Sequence, residues 1–196
     1  QQIIDAGGIP LTTSAAASNP SAGKYSWQFD GSNDSLSLSA PLFQMSDDHC
    51  VIAGFNTSSA ANYSVIFNPA HVDGTSKGWN LLINQTAGGV VYQGYDGTNW
   101  RNVTDPASAV GLNTVATAFQ LSGVAELQVN GVSKGTTTTP PNPITCVGAR
   151  IGASGVFGGS HFTGSIFPII AIKGAVSAAD RLVLTRFVGQ LSGVSL

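Results

Sequence analysis

The stretch Tyr92-Gln93-Gly94-Tyr95-Asp96-Gly97-Thr98-Asn99-Trp100-Arg101-Asn102 brings aromatic rings and planar polar groups together in one short run. An aromatic face covers the C–H surface of a ring-shaped polyol, while carboxylate, carboxamide and guanidinium groups form paired hydrogen bonds with its hydroxyls. Tyr95, Asp96, Asn99, Trp100 and Arg101 therefore form a candidate sugar-binding set. The competing structural role is that Trp100 and Tyr92 simply cover a packed core.

Catalytic chemistry is much harder to assemble. Hydrolysis of a glycosidic bond with retention generally needs two carboxyl groups about 5 Å apart. Glu126 is the sole glutamate of the chain, and no Asp or Glu stands two or four residues from it. A non-enzymatic protein is the expectation. Asp47-Asp48-His49 is the one tight cluster of acids with an imidazole, a pattern that could serve a metal or a general base. A solvated turn leading into a strand accounts for it better. Gly152 to Gly159 is rich in glycine, but without a lysine or a following helix it cannot cradle a phosphate and reads as a connection between strands.

A calcium ion would need several converging oxygens, for which Asp73, Asp96, Asp105 and the Asp30/Asp34 turn are the candidates. No cofactor is expected beyond that option. Cys50 and Cys146 are too few and too far apart for a disulfide framework or a zinc site, so two unlinked, buried thiols are expected. Five N-x-[ST] sequons, at Asn33, Asn56, Asn62, Asn84 and Asn102, reflect the abundance of Ser and Thr.

The elements that position these residues are strands. Gly, Pro, Asn, Asp and Ser recur every 8 to 12 residues between short runs rich in Val, Ile, Phe, Tyr and Thr, the spacing of an all-β sandwich or barrel. Strands flank the Asp30-Gly31 turn, and hairpins are expected at Gln85–Gly89 and Gly94–Asn99. From Thr114 to Leu121 the residues Val115, Thr117, Phe119 and Leu121 share a face, and Leu127 and Val129 point inward in the next run. Asn130-Gly131 supplies the positive φ angles of a tight turn between strands. Thr136 to Pro143 reads as an exposed connection, because its prolines carry no N–H to donate. Cys146–Ile151 and Phe162–Ile172 are the last strands, the second apolar enough to be buried on both faces. One helix follows, capped by Ser177 with Asp180 in its first turn and a stripe of Val183, Leu184, Phe187, Val188 and Leu191.

Three segments in order carry a resemblance to a known family: Phe29-Asp30-Gly31-Ser32-Asn33-Asp34-Ser35-Leu36, then Leu127-Gln128-Val129-Asn130-Gly131, then Ile151-Gly152 with Phe162-Thr163-Gly164-Ser165-Ile166 and Ser177-Ala178-Ala179-Asp180. Together they resemble a laminin-G-like, concanavalin A-like domain over about residues 25 to 190. The resemblance implies a jelly-roll sandwich of two antiparallel sheets with one short C-terminal helix, a single domain over 1–196 in which 1–24 is an extension or first strand. The family's Glu-x-Asp-x-Glu hydrolase motif is missing, and the strand after Gly164 lacks the acids that often bind calcium in relatives.

With 9% charged residues and a net charge of −2, the surface must be wetted by Ser, Thr, Asn, Gln and backbone. Eight basic against ten acidic residues give no basic patch, so nucleic acid is not an expected partner. The longest apolar run, Ile166–Ile172, is broken by Pro168 and falls far short of the ~20 residues of a membrane-spanning helix, so no membrane insertion is expected. The chain starts Gln1-Gln2-Ile3, so any signal peptide is expected to have been cut away or never to have existed. This surface looks similar to those of bacteriophage virion proteins. That similarity implies a tail or capsid-surface component, packed as a homo-oligomer with other virion proteins and able to bind a host glycan. A secreted lectin or adhesin is the alternative.

Overall fold

A computed structural model describes residues 12–14, 17–18, 26–60, 63–71, 78–84, 86–138, 145–154 and 160–196. Strands numbered in chain order form two antiparallel sheets. The first sheet runs β1 (Thr12–Ser14), β4 (Ser35–Leu38), β13 (Gly148–Ile151), β6 (Val65–His71), β7 (Gly78–Ile83), β8 (Val90–Tyr95) and β9 (Trp100–Thr104). The second runs β12 (Val132–Thr138), β11 (Val124–Val129), β10 (Asn113–Leu121), β5 (His49–Thr57), β14 (Thr163–Lys173), β3 (Trp27–Asp30) and β2 (Ala17–Ser18). Helix α1 (Ala178–Ser192) completes the all-β jelly-roll expected from the sequence.

The core lies between the sheets. Phe29, Phe43, Phe55, Phe67, Trp79, Leu81, Tyr92, Leu127 and Phe162 meet there, fully or almost fully buried. Each such side chain contributes about 1.5–3 kcal/mol of transfer free energy. Ring edges meet ring faces, as at Trp79 and Tyr92, whose centroids are 4.9 Å apart at 81°. The expected hairpins β7–β8, β8–β9 and β11–β12 all form, and Asn130 and Gly131 take the positive φ values of 50° and 76° that the last one requires. The Asp30-Gly31 turn is different: it carries the chain from β3 in the second sheet to β4 in the first.

Four expectations need correction. β14, expected to be buried on both faces, buries only Ile166 and Phe167, the rest of it being half-buried and Lys173 exposed. Thr136–Thr138 is not a connection but the end of β12, an edge strand whose row of threonines suits an exposed pleat; residues 139–144 lie outside the described residues. His49 is not in a solvated turn. It is 1% exposed, stacked 4.2 Å from Phe43 at 5°, because it starts β5 on the core side of the bend at Asp47–Asp48. On α1, the buried side is Thr185, Val188, Gly189 and Ser192, while Val183 and Phe187 remain 65% and 51% exposed and Leu191 is exposed as well. Small residues face the sheet because the helix sits close. Thr185 meets Thr117 through their hydroxyls at 2.8 Å, and a Cβ on Gly54 would collide with the Ser192 side chain. The Ser177 cap is as expected, its hydroxyl accepting from the Asp180 amide at 3.1 Å.

Candidate binding face

The hairpin β8–β9 is set by its turn. The Asp96 carboxylate accepts from the Thr98 and Asn99 amides at 2.8 and 2.6 Å, and Gly97 takes φ 97°. Those two backbone donors, Asn99 first, hold the Asp96 carboxyl below the usual carboxylate range, with Arg101 adding to the effect. The Arg101 Nε sits 2.6 Å from Asp96 Oδ2.

Strand parity then divides the five candidate residues. Val103 lies in the core, so Arg101 shares the inward side of β9, while Trp100 and Asn102 share the outer side. Tyr92 is likewise inward on β8, which places Gln93 and Tyr95 outward. Register pairs Tyr95 with Trp100 and Gln93 with Asn102. The Tyr95 and Trp100 rings meet at 5.3 Å and 67° on that outer face, both half-buried. Asn99 stands exposed at the turn. Tyr95 and Trp100 are thus brought together, and Asp96 and Arg101 are tied to each other.

The same face carries a feature with no local signal in the sequence. Following the register across the sheet, Ser37 pairs with Arg150, Arg150 with Asn68, Asn80 with Gln93, and Gln93 with Asn102. Asn68 Nδ2 donates to Asn80 Oδ1 at 2.8 Å and closes the row between β6 and β7. A polar row therefore crosses six strands of the first sheet. Its centre, Asn68 and Asn80, is buried, whereas Gln93 is half-buried and Asn102 exposed. Each residue sits in a different strand, so only the pairing register unites them. Beside the row, Val65, Leu82 and Val91 form a small apolar cluster on the same face.

The other candidate oxygens are engaged locally. Asp30 accepts from the Ser32 amide at 2.7 Å, Asp34 from the Asp30 amide at 2.9 Å, and Asp105 from the Ala107 amide at 3.1 Å and the Lys134 ammonium at 3.1 Å. Asp73 lies outside the described residues, as do Asn62 and residues 155–159 of the glycine-rich connection. Among the described residues, no group of three or more His, Cys, Asp or Glu side chains is placed to hold a metal ion. Glu126 points away from the core on β11 and accepts from Gln128 Nε2 at 2.9 Å. Gly131-Val132-Ser133-Lys134-Gly135 spells a Gly-x-Ser-x-Gly pattern, but Ser133 lies on an exposed edge strand with no helix after it. Cys50 and Cys146 are free and buried, and burial pushes both thiols up to about 11. No helix among the described residues is long and apolar enough to cross a membrane.

Comparison with known proteins agrees with this architecture. Domain 4 of AbnA, a GH43 extracellular arabinanase from Geobacillus stearothermophilus, solved in complex with arabinotriose, superposes with a TM-score of 0.74 at 16% identity, over 96% of this chain and 91% of that one. The CBM40 of a Ruminococcus gnavus IT-sialidase, bound to α2,6 sialyllactose, gives 0.60 at 17% identity over 71% and 83%. The binding domain of botulinum neurotoxin serotype D gives 0.70 at 13% identity; 94% of this chain is covered, but only 48% of the toxin domain. No curated protein sequence matches the chain. The profile of the concanavalin A-like lectin/glucanases superfamily, in its laminin-G-like branch, matches residues 30–180, and the chain belongs to that family.

Proposed function

We propose that this domain is a non-enzymatic carbohydrate-recognition module that binds a glycan on the outer face of β8 and β9. The observation that carries the reading is the Tyr95–Trp100 aromatic pair standing two residues along each strand, on the same face, from the Gln93–Asn102 carboxamide pair. Rings that cover C–H surface beside groups that both donate and accept are what a sugar requires. Asn99 extends the polar rim, and the Asp96–Arg101 pair holds the hairpin in shape. The lone Glu126, engaged by Gln128, supports binding without hydrolysis.

The setting we propose is the surface of a bacteriophage virion, in a tail or capsid-surface protein assembled from several copies. A net charge of −2 supports it, since side-by-side copies repel one another little. A secreted lectin is the alternative, and co-purification with assembled virions separates the two. Glycan binding is tested by calorimetry against an oligosaccharide panel with Trp100→Ala and Asn102→Ala. Loss of binding in variants that melt like the parent is expected; a protein that binds its glycan equally well without Trp100 and Asn102 overturns this face as the site.

A further inference from the structure

The chemistry of this face also bears on which sugars it can take, an inference that rests on the carbohydrate-binding reading above. The outer-side groups near the hairpin are uncharged: Tyr95, Trp100, Gln93, Asn102, Thr104 and, at the turn, Asn99. Among the described residues, the charges flanking the hairpin are paired. Asp96, its side chain 5% exposed, holds the Arg101 Nε at 2.6 Å on the inward side of β9, so the 41% exposed Arg101 side chain is already committed to a carboxylate. At the neighbouring edge, Lys134 of β12 is neutralised by Asp105 at 3.1 Å. Arg150 has no carboxylate partner among the described residues, but it lies on β13, three strands or ~14 Å from β8, with buried Asn68 and Asn80 between.

A carboxylate or sulfate on a sugar would have to give up its water here without a cation to replace it, an unfavourable exchange. Carboxamides serve a different partner. Each offers a donor and an acceptor in one plane, the complement of two adjacent hydroxyls. The rings add a geometric limit. At 67° to each other, Tyr95 and Trp100 cannot both lie flat against one surface, so a single sugar ring can stack at a time.

We propose that the outer face of β8 and β9 recognises an uncharged, soluble glycan through one stacked sugar ring, with the Gln93 and Asn102 carboxamides reading its neighbouring hydroxyls. Among the glycans bound by solved proteins of similar fold, that favours the chemistry of arabinotriose over that of sialyllactose.

The test is calorimetry of the intact protein against neutral gluco-, galacto-, manno-, xylo- and arabino-oligosaccharides and against uronate, sulfated and sialylated counterparts, at low and high salt. Binding of a neutral member is expected, with Kd moving less than about twofold between the two salts because no ion pair is screened. Trp100→Ala is expected to weaken it at least about tenfold, and Gln93→Ala and Asn102→Ala to do likewise, with melting temperatures confirming folded protein. Preference for acidic glycans, with affinity falling about tenfold in salt, overturns this inference and leaves the carbohydrate-binding reading intact. Retention on insoluble cellulose or chitin fibres overturns the single-ring geometry. If no glycan of either class binds, the carbohydrate-binding reading itself falls.

Discussion

The two sheets turn opposite kinds of outer face away from their shared core. On the second sheet, Cys50, Ile52, Val115 and Phe119 point outward and are sealed by α1 through Val188, with Arg181 lying 3.8 Å over the Phe119 ring. On the first, the outward positions of the central strands carry a row of amides and a guanidinium beside the buried apolar cluster of Val65, Leu82 and Val91. A strand covered on both sides spends its side chains on packing, as β5 does, with every residue but Asn56 buried. β9, at the edge of the first sheet, instead keeps Trp100 half-buried and Asn102 and Thr104 exposed, whereas β7 is buried along its whole length. The helix therefore covers the outer face of the second sheet, while the first opens toward solvent at its β8–β9 edge.

The largest effects are expected under the helix. Ile52→Ala removes a fully buried side chain between sheet and helix and should cost about 2–5 kcal/mol in denaturant unfolding. A loss below about 1 kcal/mol would mean that the helix covers this face loosely.

Next comes acid. Burial holds His49 down to about 4, against an ordinary value of 6.5, although its Nδ1 contact with the Asp47 carbonyl works the other way. The unfolded chain thus takes up this proton first, so stability is full above about pH 6.5 and declines as pH falls toward about 4. The decline is of order 3 kcal/mol. His49→Phe, retaining the stack on Phe43, should flatten that part of the pH–stability curve, and an unchanged curve would assign it to another group.

Smaller still is the helix cap, where Ser177→Ala should cost about 1 kcal/mol. On the β8–β9 face, Asn102→Ala, at an exposed position, should change stability by about 0.5 kcal/mol or less, while Trp100→Ala and Asn102→Ala should each weaken glycan binding at least about tenfold. A large loss of stability from Asn102→Ala would make the polar row part of the fold rather than a recognition surface. As a check on the interior, both thiols should resist alkylation until the protein is unfolded, and no cross-linked Cys50–Cys146 peptide should appear.

What was legible in the sequence followed its local signals. Period-two alternation located β10, the Asp30-Gly31 turn located β3 and β4, Asn130-Gly131 located the β11–β12 turn, and Ser177 with Asp180 located the helix start. Alternation did not say which side faced the core. The apolar side of β10, with Val115 and Phe119, lies under α1, and the small Ala116 and Ala118 face the interior. The helix stripe misled for the same reason: close approach favours Thr185, Gly189 and Ser192 over larger apolar neighbours. At the candidate site, Tyr95 and Trp100 could be picked out because one hairpin brings them together. Ser37, Arg150, Asn68 and Asn80 could not, since their alignment depends on pairings between segments far apart in the chain.

Those distant pairings govern how the molecule can be made. β13 inserts between β4 and β6, and β14 between β3 and β5, so strands near the C-terminus complete sheets begin near the N-terminus. His49 pairs with Lys173, and Phe67 with Ile151. Loop closure over such separations is slow, and folding is expected to be slow with it. During synthesis β5 and β6 must wait, each with an unsatisfied edge, until the final strands emerge from the ribosome. Premature termination after β12 would strand both edges permanently, and the product expected is an aggregate rather than a smaller domain.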